Sequence, residues 1–135
     1  MKNSLIISIV LLAGTVWAGT YRGGEGTAAS PYQISTVNDW MELIGASADW
    51  NKHFILTADI DFEGATITPV APDLDPLTSD FQGISFDGMF DGRGHLLKNF
   101  VIRQTDHDYV GLFGKIDNGG HVQNMGIELL QVLGR

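Results

Sequence analysis

Sixteen acidic residues, four histidines and no cysteine bound the chemistry open to this 135-residue chain. Asp59 and Asp61 fall on one face of a stretch that alternates with period two, and Asp87 and Asp91 are placed to adjoin them in a neighbouring layer. Stacked carboxylates of this kind can hold calcium through oxygen ligands. Suitably separated, two of them can serve as the acid and base of a glycoside hydrolase. Aspartate before glycine also forms turns for backbone reasons alone, and structural turns are the first expectation for all four. Calcium is the alternative, with Asp59, Asp61, Asp87 and Asp91 as candidate ligands, although the spacing is not that of the Gly-rich calcium nonapeptide. His95 and His121 recur at like positions and could share a zinc ion only with further ligands. Neither they nor His53 and His107 form the two-histidine helical motif of a metallopeptidase. Arg93, Lys98 and Arg103 are the basic residues near the aspartates. A groove joining Arg103 to Asp106 and Asp108 would favour catalysis, and scattered surface positions would favour a non-catalytic module. No catalytic residue and no required cofactor emerge.

The bulk properties narrow the partners. A net charge of −8 argues against nucleic acid and anionic membranes, both of which attract basic patches. Met1-Lys2-Asn3, the apolar run Leu5 to Ala13 and the small residues Val16 and Ala18 make a three-part signal-peptide pattern over residues 1–18, with cleavage before Gly19. The apolar stretch is shorter than the ~20 residues a membrane span needs. An exported protein of one domain follows, secreted or held at the cell surface, with no span after cleavage. Without cysteine it can use neither disulfides nor a thiolate metal site.

Three elements must position these residues. Residues 19–52 hold a glycine-rich lead-in, a short strand at Tyr32-Gln33-Ile34 and one helix. Thr36 is a plausible N-cap, and Val37, Trp40, Met41 and Ile44 trace one apolar face, with the end near Gly45. That helix should cover the open first coil and bury Trp40 and Ile44. Residues 53–135 should form the coils. Phe54, Leu56, Ala58, Ile60 and Phe62 alternate inward along what reads as one strand, and Ala65 to Val70 reads as another. Ala71 to Asp80 is an excursion with Pro72 and Pro76. Leu129, Leu130, Val132 and Leu133 end the chain as an uncapped apolar strand. Further coils from a longer polypeptide, or self-association, are expected there.

Two stretches about 25 residues apart then say nearly the same thing, as solenoid repeats do. Gly88-Met89-Phe90 answers Gly111-Leu112-Phe113, Gly94-His95 answers Gly120-His121, and Asn99 answers Asn124. Gly88, Phe90, Asn99, Gly111, Phe113 and Asn124 are the structural repeat residues. Phe90 and Phe113 are expected in one interior column, and the asparagines in a side-chain ladder. The fold class is all-β: a short parallel β-helix with one N-terminal amphipathic capping helix, right-handed if it follows the family named next.

Val110-Gly111-Leu112-Phe113-Gly114 with Gly119-Gly120-His121-Val122-Gln123-Asn124-Met125-Gly126-Ile127 resembles the GLUG motif of bacterial secreted right-handed β-helix proteins. Gly23-Gly24-Glu25-Gly26-Thr27 with Pro31 to Thr36, Leu56 to Asp61, and Phe86 to His95 fit the same family. The resemblance covers nearly all of the chain after residue 18. It implies a surface or secreted region for adhesion, scaffolding or binding of an extracellular glycan or protein, of the kind that accompanies IgA-specific metallopeptidases. This chain carries one full motif and one partial copy where relatives carry many. The alternative reading is a fragment of a carbohydrate-active β-helix enzyme, a polysaccharide lyase or glycoside hydrolase.

Overall fold

A capping box starts the helix. The Asp39 N–H donates to Thr36 Oγ1 at 3.1 Å, and the Thr36 N–H returns to Asp39 Oδ2 at 3.1 Å. The resulting helix α1 spans Val37–Gly45 and runs into a 3-10 turn at Ser47–Asp49. The computed structural model describes residues 19–134, so the signal-peptide expectation for residues 1–18 lies outside the described residues. Trp40 and Leu43 are fully buried, Ile44 is half-buried and Met41 is exposed. The buried face is therefore centred one residue pair away from the face that Met41 would share. The cause is Trp40, whose ring points inward among Phe90, Phe113 and Phe62, at 5.6, 6.2 and 6.4 Å between centroids.

Eight strands follow in chain order: β1 Tyr32–Ile34, β2 His53–Leu56, β3 Ile60–Asp61, β4 Thr66–Ile67, β5 Met89–Asp91, β6 Leu96–Arg103, β7 His121–Gln123 and β8 Gly126–Leu133. Every pairing between them is parallel. One sheet has the order β1-β2-β5-β7. In the other, β6 pairs with β3 and β4 along one edge and with β8 along the other. Parallel pairing of short strands joined by corners buries one face of each sheet. The described residues are all-β apart from α1 and the 3-10 turn.

The core runs in columns across the paired strands. Tyr32, Phe54, Phe90 and Val122 are register partners in the first sheet, and the Phe54 and Phe90 rings lie 5.9 Å apart at 14°. Ile60, Leu97 and Ile127 form a second column, and Ile67, Ile102 and Val132 a third. The inward set read from alternation is largely buried, but its strand is not continuous. β2 and β3 belong to different sheets, with a corner at residues 57–59, and Ile55 is buried as well. The expected strand Ala65 to Val70 shortens to β4 plus a bridge from Val70 to Phe113.

That bridge corrects the repeat. Phe113 pairs with Val70, whereas Phe90 pairs with Phe54 and Val122, so the two phenylalanines are in different columns. Their rings touch edge-on at 6.2 Å. Gly88 is likewise not matched with Gly111: its carbonyl accepts from His121 N–H, which places it beside Gly120. Met89 faces His121, an offset of 121 − 89 = 32 residues, longer than the repeat read from the sequence.

Candidate functional site

The aspartates singled out for chemistry are engaged by amide donors. Asp61 Oδ1 accepts from Glu63 N–H at 2.8 Å and from Asn99 Nδ2 at 3.0 Å. Asp91 Oδ1 accepts from Arg93 N–H at 2.9 Å and from Asn124 Nδ2 at 3.2 Å. Each aspartate leads a tight turn whose two central residues have positive φ: Glu63 and Gly64 at 53° and 86°, Arg93 and Gly94 at 51° and 82°. Left-handed values at both central positions define a type I′ turn and explain the glycines. The asparagine that each aspartate meets is also left-handed, Asn99 at 61° and Asn124 at 57°. Its carbonyl accepts the turn glycine's N–H, Gly64 to Asn99 at 2.8 Å and Gly94 to Asn124 at 2.7 Å.

The two assemblies match bond for bond. Phe62 N–H reaches Lys98 O as Gly92 N–H reaches Gln123 O, and Val101 N–H reaches Ala65 O as Gly126 N–H reaches His95 O. In place of an asparagine ladder, Asn99 clasps Asp61 and Asn124 clasps Asp91, each across to the turn of an earlier strand. A third I′ turn, Asn118-Gly119, sends Asn118 Nδ2 to Asp87 at 3.0 Å. Asp59 accepts from Leu96 N–H at 2.9 Å and lies 3.1 Å from His95 Nδ1. These donors favour the charged carboxylate. The Leu96 amide and then His95 hold Asp59 below the usual carboxylate range. Asn99 and then the Glu63 amide do so for Asp61, and the Arg93 amide and then Asn124 for Asp91.

These four aspartates do not meet at one point. Asp91 faces Ile55 and Gln123 on the outer side of the first sheet, while Asp61 pairs with Lys98 in the second. Among the described residues, no three His, Asp or Glu side chains converge as a metal site would require. His95 and His121 are not stacked partners either. His121 shares a column with Met89 and His53, and His95 sits at the Asp59 corner.

Two surface depressions hold the remaining candidates. A groove of about 170 Å³ on the first sheet is lined by Pro31, His53, Met89, Asp91, Arg93 and Gln123. Sequence reasoning missed it because its residues come from the lead-in and three separate coils, and only the register β2-β5-β7 joins them. The second lies at His107, Asp108, Tyr109, Val110, Val132 and Gly134. Arg103 and Asp106 are outside it, so the grouping of Arg103 with Asp106 and Asp108 that would mark a catalytic groove is not formed there. The groove beside Arg93 offers a cation, a carboxylate, an imidazole and an amide around an apolar floor, which suits a small polar ligand.

No protein-family model matches the chain. No solved structure matches it either. Among described residues, no helix is long and apolar enough to cross a membrane. The chain is 33% identical over 130 residues to halomucin of Haloquadratum walsbyi, a match that covers 90% of this chain and 1% of halomucin. It is 32% identical over 123 residues to a protein of Evansella cellulosilytica described as a Gly-rich membrane protein, covering 91% of this chain and 14% of that protein. The chain thus spans a small part of the length of either relative and nearly all of itself.

Proposed function

We propose that this chain is a short right-handed parallel β-helix module of an exported, surface-associated protein, and that it binds or scaffolds and does not catalyse. The observation that carries this reading is the clasped corner. Of the four aspartates that could have formed a reactive or metal-holding cluster, Asp61 and Asp91 brace I′ turns against the next coil, while Asp59 takes the Leu96 amide and Asp87 the Asn118 side chain. The all-parallel registers support the β-helix, as does the resemblance to GLUG-motif proteins. Surface association is supported by the names of the two relatives and by the leader pattern of residues 1–18. The ligand class is an extracellular glycan or protein, and the groove beside Arg93 is the place to seek it. No cofactor is required for folding.

The β8 edge is where further coils or a second copy would add. Ile127, Leu129, Leu130 and Val132 are each at least 40% exposed there, on a strand paired along one edge only. Labelling intact producing cells with a membrane-impermeant amine reagent tests the location: Lys52, Lys98 and Lys115 should react, and labelling only after lysis refutes it. Incubation with polygalacturonate and alginate tests the chemistry. No unsaturated or reducing ends should form, and their release would move the protein to the carbohydrate-active class. A melting temperature that rises with calcium and falls with chelator would restore the calcium reading of Asp59, Asp61, Asp87 and Asp91.

A further inference from the structure

The first described residues are held by two carboxylates from the cap. Gly19 N lies 2.7 Å from Asp49 Oδ2, and the Tyr21 hydroxyl donates to the same oxygen at 2.8 Å. Glu42, on α1, accepts from Thr20 N–H at 2.7 Å and from Tyr21 N–H at 3.2 Å. Asp49 is 2% exposed. No lysine, arginine or histidine among the described residues forms an ion pair with it. A buried carboxylate without a cation is costly, and the structure around it should supply one.

The sequence supplies it by processing. The small residues Val16 and Ala18 put leader cleavage between Ala18 and Gly19. Hydrolysis of that peptide bond by a signal peptidase consumes one water, leaves a carboxylate on Ala18 and frees an amine on Gly19 that is protonated near neutral pH. We propose that Gly19 is the N-terminus of the exported protein and that its α-ammonium is the cation of buried Asp49. Glycine suits the position: a Cβ there would fall 2.5 Å from Tyr21 Cζ and push the buried ring off Asp49. Before cleavage Asp49 receives a neutral amide N–H, and afterwards a full positive charge at the same place. Removal of the leader then locks α1 and the lead-in together, which couples completion of the cap to export. The inference rests on the exported reading above.

The test uses the full chain with its own leader in a secreting bacterium. The exported product should begin at Gly19 by N-terminal sequencing and intact mass. Its α-amino group should stay protonated to higher pH than a free terminus, so its acylation at neutral pH should be about tenfold slower than that of an unpaired terminus. Asp49→Asn should restore ordinary reactivity. A chain that retains Ala18, with Asp49 intact, should melt lower than the Gly19 form, and it decides the matter if Asp49→Asn does not fold. An exported product that starts elsewhere overturns the processing site. A Gly19 start with ordinary amine reactivity, and no loss on retaining Ala18, overturns the ion pair alone. A precursor kept inside the cell overturns the exported reading itself.

Discussion

Trp40 gives the sharpest test of what fastens α1 to the two sheets. Its side chain is fully buried among Phe62, Phe90 and Phe113, yet among the described residues its indole N–H has no hydrogen-bond partner. Two effects therefore oppose each other at one residue. Trp40→Ala removes the plug and leaves a cavity, at a cost of about 3–5 kcal/mol. Trp40→Phe keeps one ring, loses about 1–2 kcal/mol of packing, and relieves a buried unpaired donor worth about 1–3 kcal/mol. The net for phenylalanine should be near zero. Trp50 is the control, because its Nε1 donates to Leu43 O at 2.8 Å in the interior. Trp50→Phe loses that bond and should cost about 1–3 kcal/mol more than Trp40→Phe. Urea unfolding followed by far-ultraviolet circular dichroism reads all three. At a slope of about 2 kcal/mol/M, Trp40→Ala should lower the midpoint by about 2 M while Trp40→Phe barely moves it. Equal losses for the two phenylalanine variants, or a Trp40→Phe as damaging as Trp40→Ala, would refute the reasoning.

The clasp predicts a graded series: Asn99→Gly should cost about 0.5–1.5 kcal/mol for the lost Asp61 bond, and Asn99→Ala about 1–2 kcal/mol more because φ is +61°. Equal midpoints for the two would sink the left-handed role, and Asn124 should behave alike. Acid should destabilise the fold, because Asp59, Asp61, Asp75, Asp91 and Asp117 all titrate below their ordinary value when folded. Their contribution is present above the unfolded value of about 3.9 and is lost as pH falls through the folded values. The melting temperature should therefore drop below about pH 4, and the drop should flatten in an Asp61→Asn, Asp91→Asn double variant. Gly114→Ala should cost about 1–3 kcal/mol, since its Cβ would sit 2.2 Å from Ala71 O, while Gly45→Ala meets nothing within 4 Å and should be neutral or stabilising in thermal melts.

The helix and most of the core were legible because both are written locally. Thr36 and Asp39 specify the start of α1 within four residues, and the alternation Phe54, Leu56, Ile60 and Phe62 specifies the inward side. The break at residues 57–59 was not legible, because the chain turns a corner without losing its alternation. Thr57 N–H donates to Ile34 O at 3.0 Å, so the backbone ladder continues as the sheet changes. Met41 is exposed and Leu43 buried, so the buried face of α1 is not the one the i, i+3, i+4 spacing of Val37, Trp40 and Met41 indicates.

The repeat misled about columns because it marks a corner and not a coil. Arg93-Gly94 and Asn118-Gly119 are the same turn, and each is followed five residues after its glycine by a left-handed asparagine, Asn99 or Asn124. The first such unit leads into β6 and the second into β7, which lie in different sheets. Stacking follows a different spacing, with Met89 over His121 and Leu96 over Gly126. The clasp also hides from any fixed period. Asp61 reaches Asn99 and Asp91 reaches Asn124, and the first gap is the longer because the excursion from Ala71 onward lies inside it. Its register is held by hydrogen bonds between coils, so insertions in the excursion leave it intact. An aspartate two residues before a left-handed pair is thus committed to its own turn, and beside Asp91 the strand register alone brings His53, Arg93 and Gln123 together on the outer face of the first sheet.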